Sequence, residues 1–283
     1  MPISIAKAVA VAANSLRKSG VGEPRLEAGL LLAHSLRCDR TFLVAHNDDE
    51  IPSDRFEEFQ DFVVRRAAGE PLQYITGHQE FFKLDFEVTP AVLIPRPESE
   101  LIVEAALELF AGDASLTVAD VGAGSGCLAI SILHERSKAN AVAIDASTDA
   151  LTVAETNARR HQVDDRLRLV ESDLFAGLRG DEVFDAIVSN PPYVSDQEMK
   201  DLQREVGREP RLALAGGVDG LDVIRRLLEH APRRLKAGGY LIFEFGINQD
   251  TRIIELVDER AWELIDIRKD LQRIPRTMIL RKK

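Results

Sequence analysis

Thr117–Leu133 reads TVADVGAGSGCLAISIL. Five residues of strand character lead into Gly122, Gly124 and Gly126, and an apolar helical stretch runs on from Cys127 to Leu133. A strand that turns through glycines into a helix is the entry to a parallel α/β layer. Working outward, further strands are expected at Ala141–Asp145, Leu167–Glu171, Asp185–Asn190, Tyr240–Phe245, Trp262–Ile267 and Thr277–Leu280, with helical stretches between most of them. Such alternation predicts a doubly wound, mostly parallel, Rossmann-like α/β sheet of seven strands. Its ligand site is expected beyond the carboxyl ends of the strands, where the strand order reverses.

The glycine loop narrows the ligand. Gly122, Ala123, Gly124, Ser125 and Gly126 form a tight turn that lets a ligand approach the main chain. Cys127 stands where the dinucleotide fingerprint has its third glycine, and no Gly-Lys-Ser/Thr follows, so neither a nicotinamide cofactor nor a P-loop nucleotide fits well. Gly-x-Gly-x-Gly after a strand that carries Asp120 suits S-adenosyl-L-methionine, whose product is S-adenosyl-L-homocysteine. Asp145, closing the second strand, is placed to accept from ribose hydroxyls. Asp173, just past the third, is placed to accept from an adenine amino group while Leu174 packs on the ring. An aspartate at a strand end is more often a helix cap, and Leu174 and Phe175 are ordinary core residues. Three such signals after three successive strands outweigh those plainer readings.

The fourth strand ends in Asn190-Pro191-Pro192-Tyr193. Two prolines stiffen the loop and remove two backbone donors, leaving the Pro191 carbonyl as an outward acceptor. The Asn190 Oδ1 is a second acceptor, and Tyr193 offers a flat face. Two acceptors can hold both hydrogens of a planar NH₂ and favour the charge that builds on its nitrogen during attack. Asn190, Pro191 and Tyr193 are therefore the candidate catalytic residues, with Pro192 joining them in substrate binding. The plainer alternative is a stiff turn.

The rest of the chain bounds these readings. It has 283 residues, 45% hydrophobic and 29% charged, with a net charge of -11 and a pI near 5.1. Residues 1–80 hold 9 Lys+Arg against 12 Asp+Glu, so the amino-terminal part is no basic arm for nucleic acid. Cys38 and Cys127 are far apart, and the six histidines show no ligand spacing, so neither disulfide nor metal is expected and a reducing cytoplasm is the default. No apolar run is long enough to span a bilayer. Ile3 to about Ala68 reads as four or five helices, one opening at Glu23-Pro24. Another opens at Ser53, the expected N-cap, with Phe56, Phe59, Phe62 and Val63 on one face and a stop at Gly69. Phe81–Ile94 changes period and suggests a β-hairpin turning near Thr89-Pro90, with Phe81 and Phe82 in the core. The expected domains are 1–78 helical, 79–97 hairpin linker and 98–283 for the cofactor.

Asn-Pro-Pro-Tyr is shared by methyltransferases acting on amino nitrogens of bases and of glutamine. Other blocks narrow the choice: Glu70–Gly77 with Glu80-Phe81, Leu93–Glu100, and Glu209–Leu214 with Gly216-Gly217 and Asp219–Leu221. Over roughly residues 5–280 the chain resembles the release-factor glutamine methyltransferases. That resemblance implies methylation of the Gly-Gly-Gln glutamine of class I peptide chain release factors, with residues 1–78 contacting the factor. It implies that Gly122–Gly126, Asp145, Asp173, Leu174 and Asn190 hold the cofactor. It further implies that Asn190–Tyr193 hold the amide, and that Arg96, Pro97 and Ser99 line the approach. The family form usually has Asp-Thr where this chain has Glu98-Ser99, a conservative exchange. The expected assembly is a monomer, bound stably to neither nucleic acid nor membrane. Three rivals remain open from sequence: a nucleic-acid amino methyltransferase, a non-catalytic nucleotide-binding protein and a nicotinamide-dependent oxidoreductase.

Overall fold

The computed structural model describes residues 3–110, 112 and 115–283. The chain divides into two compact units, Met1–His78 with Gln203–Arg208, and Gln79–Leu202 with Glu209–Lys283.

Among the described residues the first unit holds five α-helices: α1 (Ile5–Lys18), α2 (Pro24–Leu36), α3 (Arg40–Ala45), α4 (Ser53–Ala67) and α5 (Leu72–Thr76). Helical spacing brings Ala8, Ala12 and Leu16 of α1 together with Ala28, Leu31 and Leu32 of α2 and with Phe59, Phe62 and Val63 of α4 in one core. Pro24 opens α2, where a missing N–H costs nothing. Ser53 is not the N-cap of α4. It lies inside the first turn behind Pro52, whose extended backbone leads the chain in and leaves the serine no capping bond to make. Arg66 is buried at 2% side-chain exposure, where its guanidinium bonds both Glu27 and Glu205. Arg204 and Arg208 donate to the carbonyls of Ala67 and Ala68, so residues 203–208 belong to the helical unit although they lie far along the sequence.

A small hairpin, β1 (His78–Phe81) and β2 (Leu84–Glu87), comes next. It turns at Phe82-Lys83, not near Thr89-Pro90. Both turn residues take left-handed φ angles, 49° and 63°, as a two-residue primed turn needs. Neither is the glycine or asparagine that signals such a turn, and the Phe82 N–H is fixed by Glu100 Oε1 at 2.8 Å. Phe81 is core, and Phe82 packs partly buried against the same cluster.

The second unit holds a seven-stranded sheet: β3 (Thr117–Val121), β4 (Asn140–Asp145), β5 (Leu167–Glu171), β6 (Phe184–Ser189), β7 (Leu235–Glu244), β8 (Trp262–Lys269) and β9 (Pro275–Lys282). The order is β5-β4-β3-β6-β7-β9-β8, with β5, β4, β3, β6 and β7 paired in parallel and β9 antiparallel between β7 and β8. Strand alternation sends Val118, Ala143, Val188 and Ile242 to one face, and Ala119, Val121, Ile144, Ile187 and Phe243 to the other. Helices α6 (Glu100–Leu109) and α7 (Cys127–Glu135) bury apolar residues on the first face. Helices α10 (Asp222–His230) and α11 (Asp250–Leu256) do so on the second. Two further helices are α8 (Thr148–Arg160) and the single turn α9 (Arg211–Leu214). β7 begins at Leu235, earlier than expected, because a register shift opposite β6 lets the chain through Gly238-Gly239 keep pairing.

Because Arg66 is buried with two carboxylates, Arg66→Leu would leave Glu27 without its counter-charge. It should destabilise the protein by about 3 kcal/mol in urea unfolding. A change under about 0.5 kcal/mol would mean that the pair does not hold this unit together.

Candidate active site

The parallel pairing of β3 with β6 sets the site. Val121 faces Ser189 across the ladder, so the residues that follow, Gly122 and Asn190, leave the sheet side by side. A side chain at Gly122 would begin 4.0 Å from the Asn190 carbonyl. β4 ends on the other side of β3, with Ile144 opposite Val121, and β5 ends beside it, with Glu171 opposite Asp145. The order reverses between β4 and β6 across β3, and a cavity of about 530 Å³ opens beyond these ends. That is the size range of pockets that enclose a small organic ligand.

The cavity is lined by Gly122, Ala123, Gly124, Ser125, Asp145, Asp173, Leu174, Asn190, Pro191 and Pro192. Gly126 does not line it. Its left-handed φ of 79° starts α7, and a Cβ there would meet Ile130 Cδ1 at 2.9 Å and Ala154 Cβ at 3.2 Å. Asp145 steadies the loop: Oδ2 accepts from the Gly124 N–H and Oδ1 from the Ser147 N–H, both at 2.9 Å. Asn157, fully buried, ties the loop to β2 by donating to the carbonyls of Ser125 and Glu87 and accepting from the Glu87 N–H. Asp173 is exposed and bonds Arg226 at 2.7 Å, and that arginine also lines the cavity. Residues missed in the sequence complete the wall: Val92, Leu93 and Pro95 after the hairpin, and Pro210, Leu212 and Ala213 at α9. Leu93, Pro95, Pro210, Leu212 and Ala213 fall in the blocks Leu93–Glu100 and Glu209–Leu214, whereas Val92 lies just outside them.

Arg96 does not line the cavity. Its guanidinium pairs with Glu209, whose carboxylate is nearly fully buried and also accepts from the Ile94 N–H at 3.2 Å. The pair clasps the segment after the hairpin to the one before α9. Tyr193 is not among the residues that line the cavity. Its hydroxyl donates to Glu244 Oε1 at 2.9 Å, and burial together with that carboxylate raises the phenol well above its ordinary pKa, so it stays a donor. Gly246 leaves room for its ring, since a Cβ there would sit 3.2 Å from Tyr193 Cδ2. Gln249 holds the Tyr193 carbonyl at 3.0 Å and accepts from the Gly246 N–H at 2.8 Å. Asn190 donates through Nδ2 to Ser99 Oγ at 2.9 Å. Its Oδ1 is therefore turned away from Ser99, and among the described residues nothing donates to it or to the Pro191 carbonyl.

Asp120 is wholly buried in β3. One oxygen accepts from the Ala129 N–H at 3.0 Å; the other, like Ser125 Oγ, has no partner among the described residues. Burial pushes its carboxyl up to about 7, the Ala129 bond opposes this, and the charge of Asp145 adds to it. Among the described residues no cluster of His, Cys, Asp and Glu could hold a metal, and no helix is long and apolar enough to cross a membrane.

These residues fit S-adenosylmethionine. The glycine loop is open to a ligand backbone, carboxylates stand at the ends of β4 and β5, and Leu174 gives an apolar wall. Ser125, whose buried Oγ has no hydrogen-bond partner among the described residues, lines the cavity. The fold and cavity define an S-adenosylmethionine-dependent methyltransferase. The chain is 41% identical over 268 residues to the release factor glutamine methyltransferase of Koribacter versatilis, covering 94% of each chain. It is 44% identical over 254 residues to that of Moorella thermoacetica, covering 90% of this chain and 89% of the relative. The chain belongs to the release factor glutamine methyltransferase family. Residues 7–77 match the PrmC N-terminal domain and residues 99–217 the methyltransferase small domain. A methyltransferase structure from Pyrococcus furiosus shares the fold at 20% identity and a TM-score of 0.53, over 79% of this chain and 97% of that one.

The Asp120 carboxyl has a signed consequence. Its folded pKa of about 7 lies above the unfolded value of about 4, so its contribution to stability is complete below about pH 4 and is lost as pH rises to about 7. Without ligand, Asp120→Asn should gain on the wild type across that window, by on the order of 4 kcal/mol at most, and hold the gain above it. Parallel stability curves of the two proteins from pH 4 to 8 would contradict a buried, strained carboxylate.

Proposed function

We propose that this enzyme transfers the methyl group of S-adenosylmethionine to the side-chain amide nitrogen (N5) of the glutamine in the Gly-Gly-Gln motif of class I peptide chain release factors. The observation that carries the reading is the pair of free acceptors, Asn190 Oδ1 and the Pro191 carbonyl, on one stiff loop at the wall of the cofactor cavity. The family's named substrate supports the same choice.

S-adenosylmethionine, when bound, supplies an electrophilic methyl group on a sulfonium. The glycine loop, Asp145, Asp173 and Leu174 would hold it. The remaining work falls to Asn190 and Pro191. An amide nitrogen is a weak nucleophile because its lone pair is delocalised into the carbonyl. Asn190 Oδ1 and Pro191 O each accept one of its two hydrogens, which aims the nitrogen at the methyl and steadies the positive charge that grows on it. Transfer would form the N–C bond and break the sulfonium C–S bond, leaving S-adenosyl-L-homocysteine. The methylated nitrogen is then acidic and releases one proton to solvent, so no strong base is needed before attack. Pro191 and Pro192 keep the two acceptors from relaxing toward each other. Arg96, paired with Glu209, braces the segment after the hairpin that leads to the cavity. The helical unit, residues 1–78, is the part proposed to seat the release factor.

Purified enzyme with methyl-labelled S-adenosylmethionine should label an intact class I release factor, and should label neither the factor with its Gly-Gly-Gln glutamine changed to alanine nor a nucleic-acid mixture. Label on nucleic acid alone would overturn the substrate. Asn190→Ala should keep cofactor affinity within a few-fold and lower kcat by about two to four orders of magnitude. Near-normal turnover in that variant would remove Asn190 from the mechanism.

A further inference from the structure

We infer that Glu244 is a positioning residue that sets which way the Asn190 amide faces, acting through Ser99, and so decides whether the site presents an acceptor or a donor to the substrate nitrogen. The inference rests on the proposed role of Asn190. Glu244 ends β7, is 1% exposed, and does not line the cavity. Its Oε2 accepts from the Ser99 hydroxyl at 2.5 Å and its Oε1 from the Tyr193 hydroxyl at 2.9 Å. Ser99 Oγ in turn accepts from Asn190 Nδ2 at 2.9 Å.

The logic is one of counting hydrogens. A side-chain amide has nearly the same shape after a half-turn, so sterics alone do not choose between its oxygen and its nitrogen. A serine hydroxyl has one hydrogen. Facing an ionised carboxylate, which only accepts, Ser99 must spend that hydrogen on Glu244. It can then only accept from Asn190, and Asn190 must offer Nδ2. The Oδ1 is left for the cavity, where the substrate amide needs an acceptor. The same carboxylate fixes the Tyr193 hydroxyl, so one buried charge orders both ends of the Asn-Pro-Pro-Tyr turn.

The relay reverses if Glu244 gains a proton. A protonated carboxyl can donate to Ser99, which frees the serine hydrogen for Asn190 Oδ1. The amide then turns its NH₂ into the cavity, where the substrate already brings two donors. The titratable and charged groups around Glu244 are Tyr193, Glu98, Arg276 and the Cys127 thiol. Burial raises the Glu244 pKa most and Glu98 adds to this, while the two hydroxyl donors and Arg276 oppose it. Since the folded value is raised, turnover is lost as pH falls, on a limb lying above the ordinary carboxylate range.

The test compares wild type, Glu244→Gln, Ser99→Ala and the double variant. It uses an intact class I release factor and S-adenosylmethionine, with kcat, KM and cofactor affinity measured from pH 5 to 9. Glu244→Gln keeps the shape but places an amide donor in the relay. It should lower kcat about 100-fold, leave cofactor affinity within a few-fold and abolish the acid limb. Ser99→Ala should lower kcat about 10-fold and also abolish that limb. In the Ser99→Ala background, Glu244→Gln should lose most of its effect, because the relay is already cut. If Glu244→Gln does not fold, Ser99→Ala and the wild-type profile decide alone. Wild-type kcat in Ser99→Ala, or losses in the two single variants that simply multiply in the double variant, overturn the relay while leaving the substrate reading intact. A wild-type enzyme that labels no release factor overturns the substrate reading, and this inference with it.

Discussion

The parallel ladder between β3 and β6 is the constraint on which the site depends. Pairing Val121 with Ser189 makes two otherwise unrelated loops leave the sheet at the same height. One loop is all glycine freedom and the other all proline stiffness, and each suits its task. Gly122 and Gly124 take left-handed φ angles of 75° and 54°, which lets main chain curl against a ligand. Pro191 and Pro192 hold a carbonyl that no N–H among the described residues reaches. A one-residue slip in this ladder would turn Ile187 to the face held by Ala186 and Val188 and part Gly122 from Asn190.

Around that seam the enzyme buries polar groups whose isolation is costly. Asp120 and Glu244 are both fully enclosed, and burial raises the pKa of each. Their surroundings differ in kind. Glu244 is satisfied within the chain by two hydroxyl donors, so it acts on its neighbours as a fixed acceptor. Asp120 keeps one oxygen without a partner among the described residues, and only the Ala129 N–H offsets the cost of its burial. Gln249 and Asn157 do a related job with neutral amides, each bridging two loops through backbone groups.

The α/β sheet was legible because its signals are local. Strand runs, the glycine turn after β3 and the prolines after β6 lie within a few residues of one another. The β1–β2 turn was misplaced because Phe82 and Lys83 adopt left-handed angles without the usual glycine or asparagine. Tertiary contacts such as Glu100 to the Phe82 N–H hold a turn there that the local sequence does not advertise. Ser53 had the chemistry of a cap but not the backbone position. Residues 203–208 could not be assigned to the helical unit from sequence, because Arg66 meets Glu205 across 139 positions. Glu244 was invisible as a partner of Ser99 for the same reason, lying 145 positions away. The ion pair of Arg96 with the buried Glu209, 113 positions away, was likewise beyond the reach of local sequence signals.

The central claim is that Asn190 Oδ1 and the Pro191 carbonyl together receive a glutamine amide. The most direct measurement is a high-resolution structure of the enzyme with S-adenosyl-L-homocysteine and a Gly-Gly-Gln release factor. The account predicts the glutamine side-chain nitrogen about 3 Å from both acceptors, with Asn190 Nδ2 still on Ser99. A glutamine nitrogen held by other groups, or an Asn190 that turns its NH₂ toward the substrate, would contradict it.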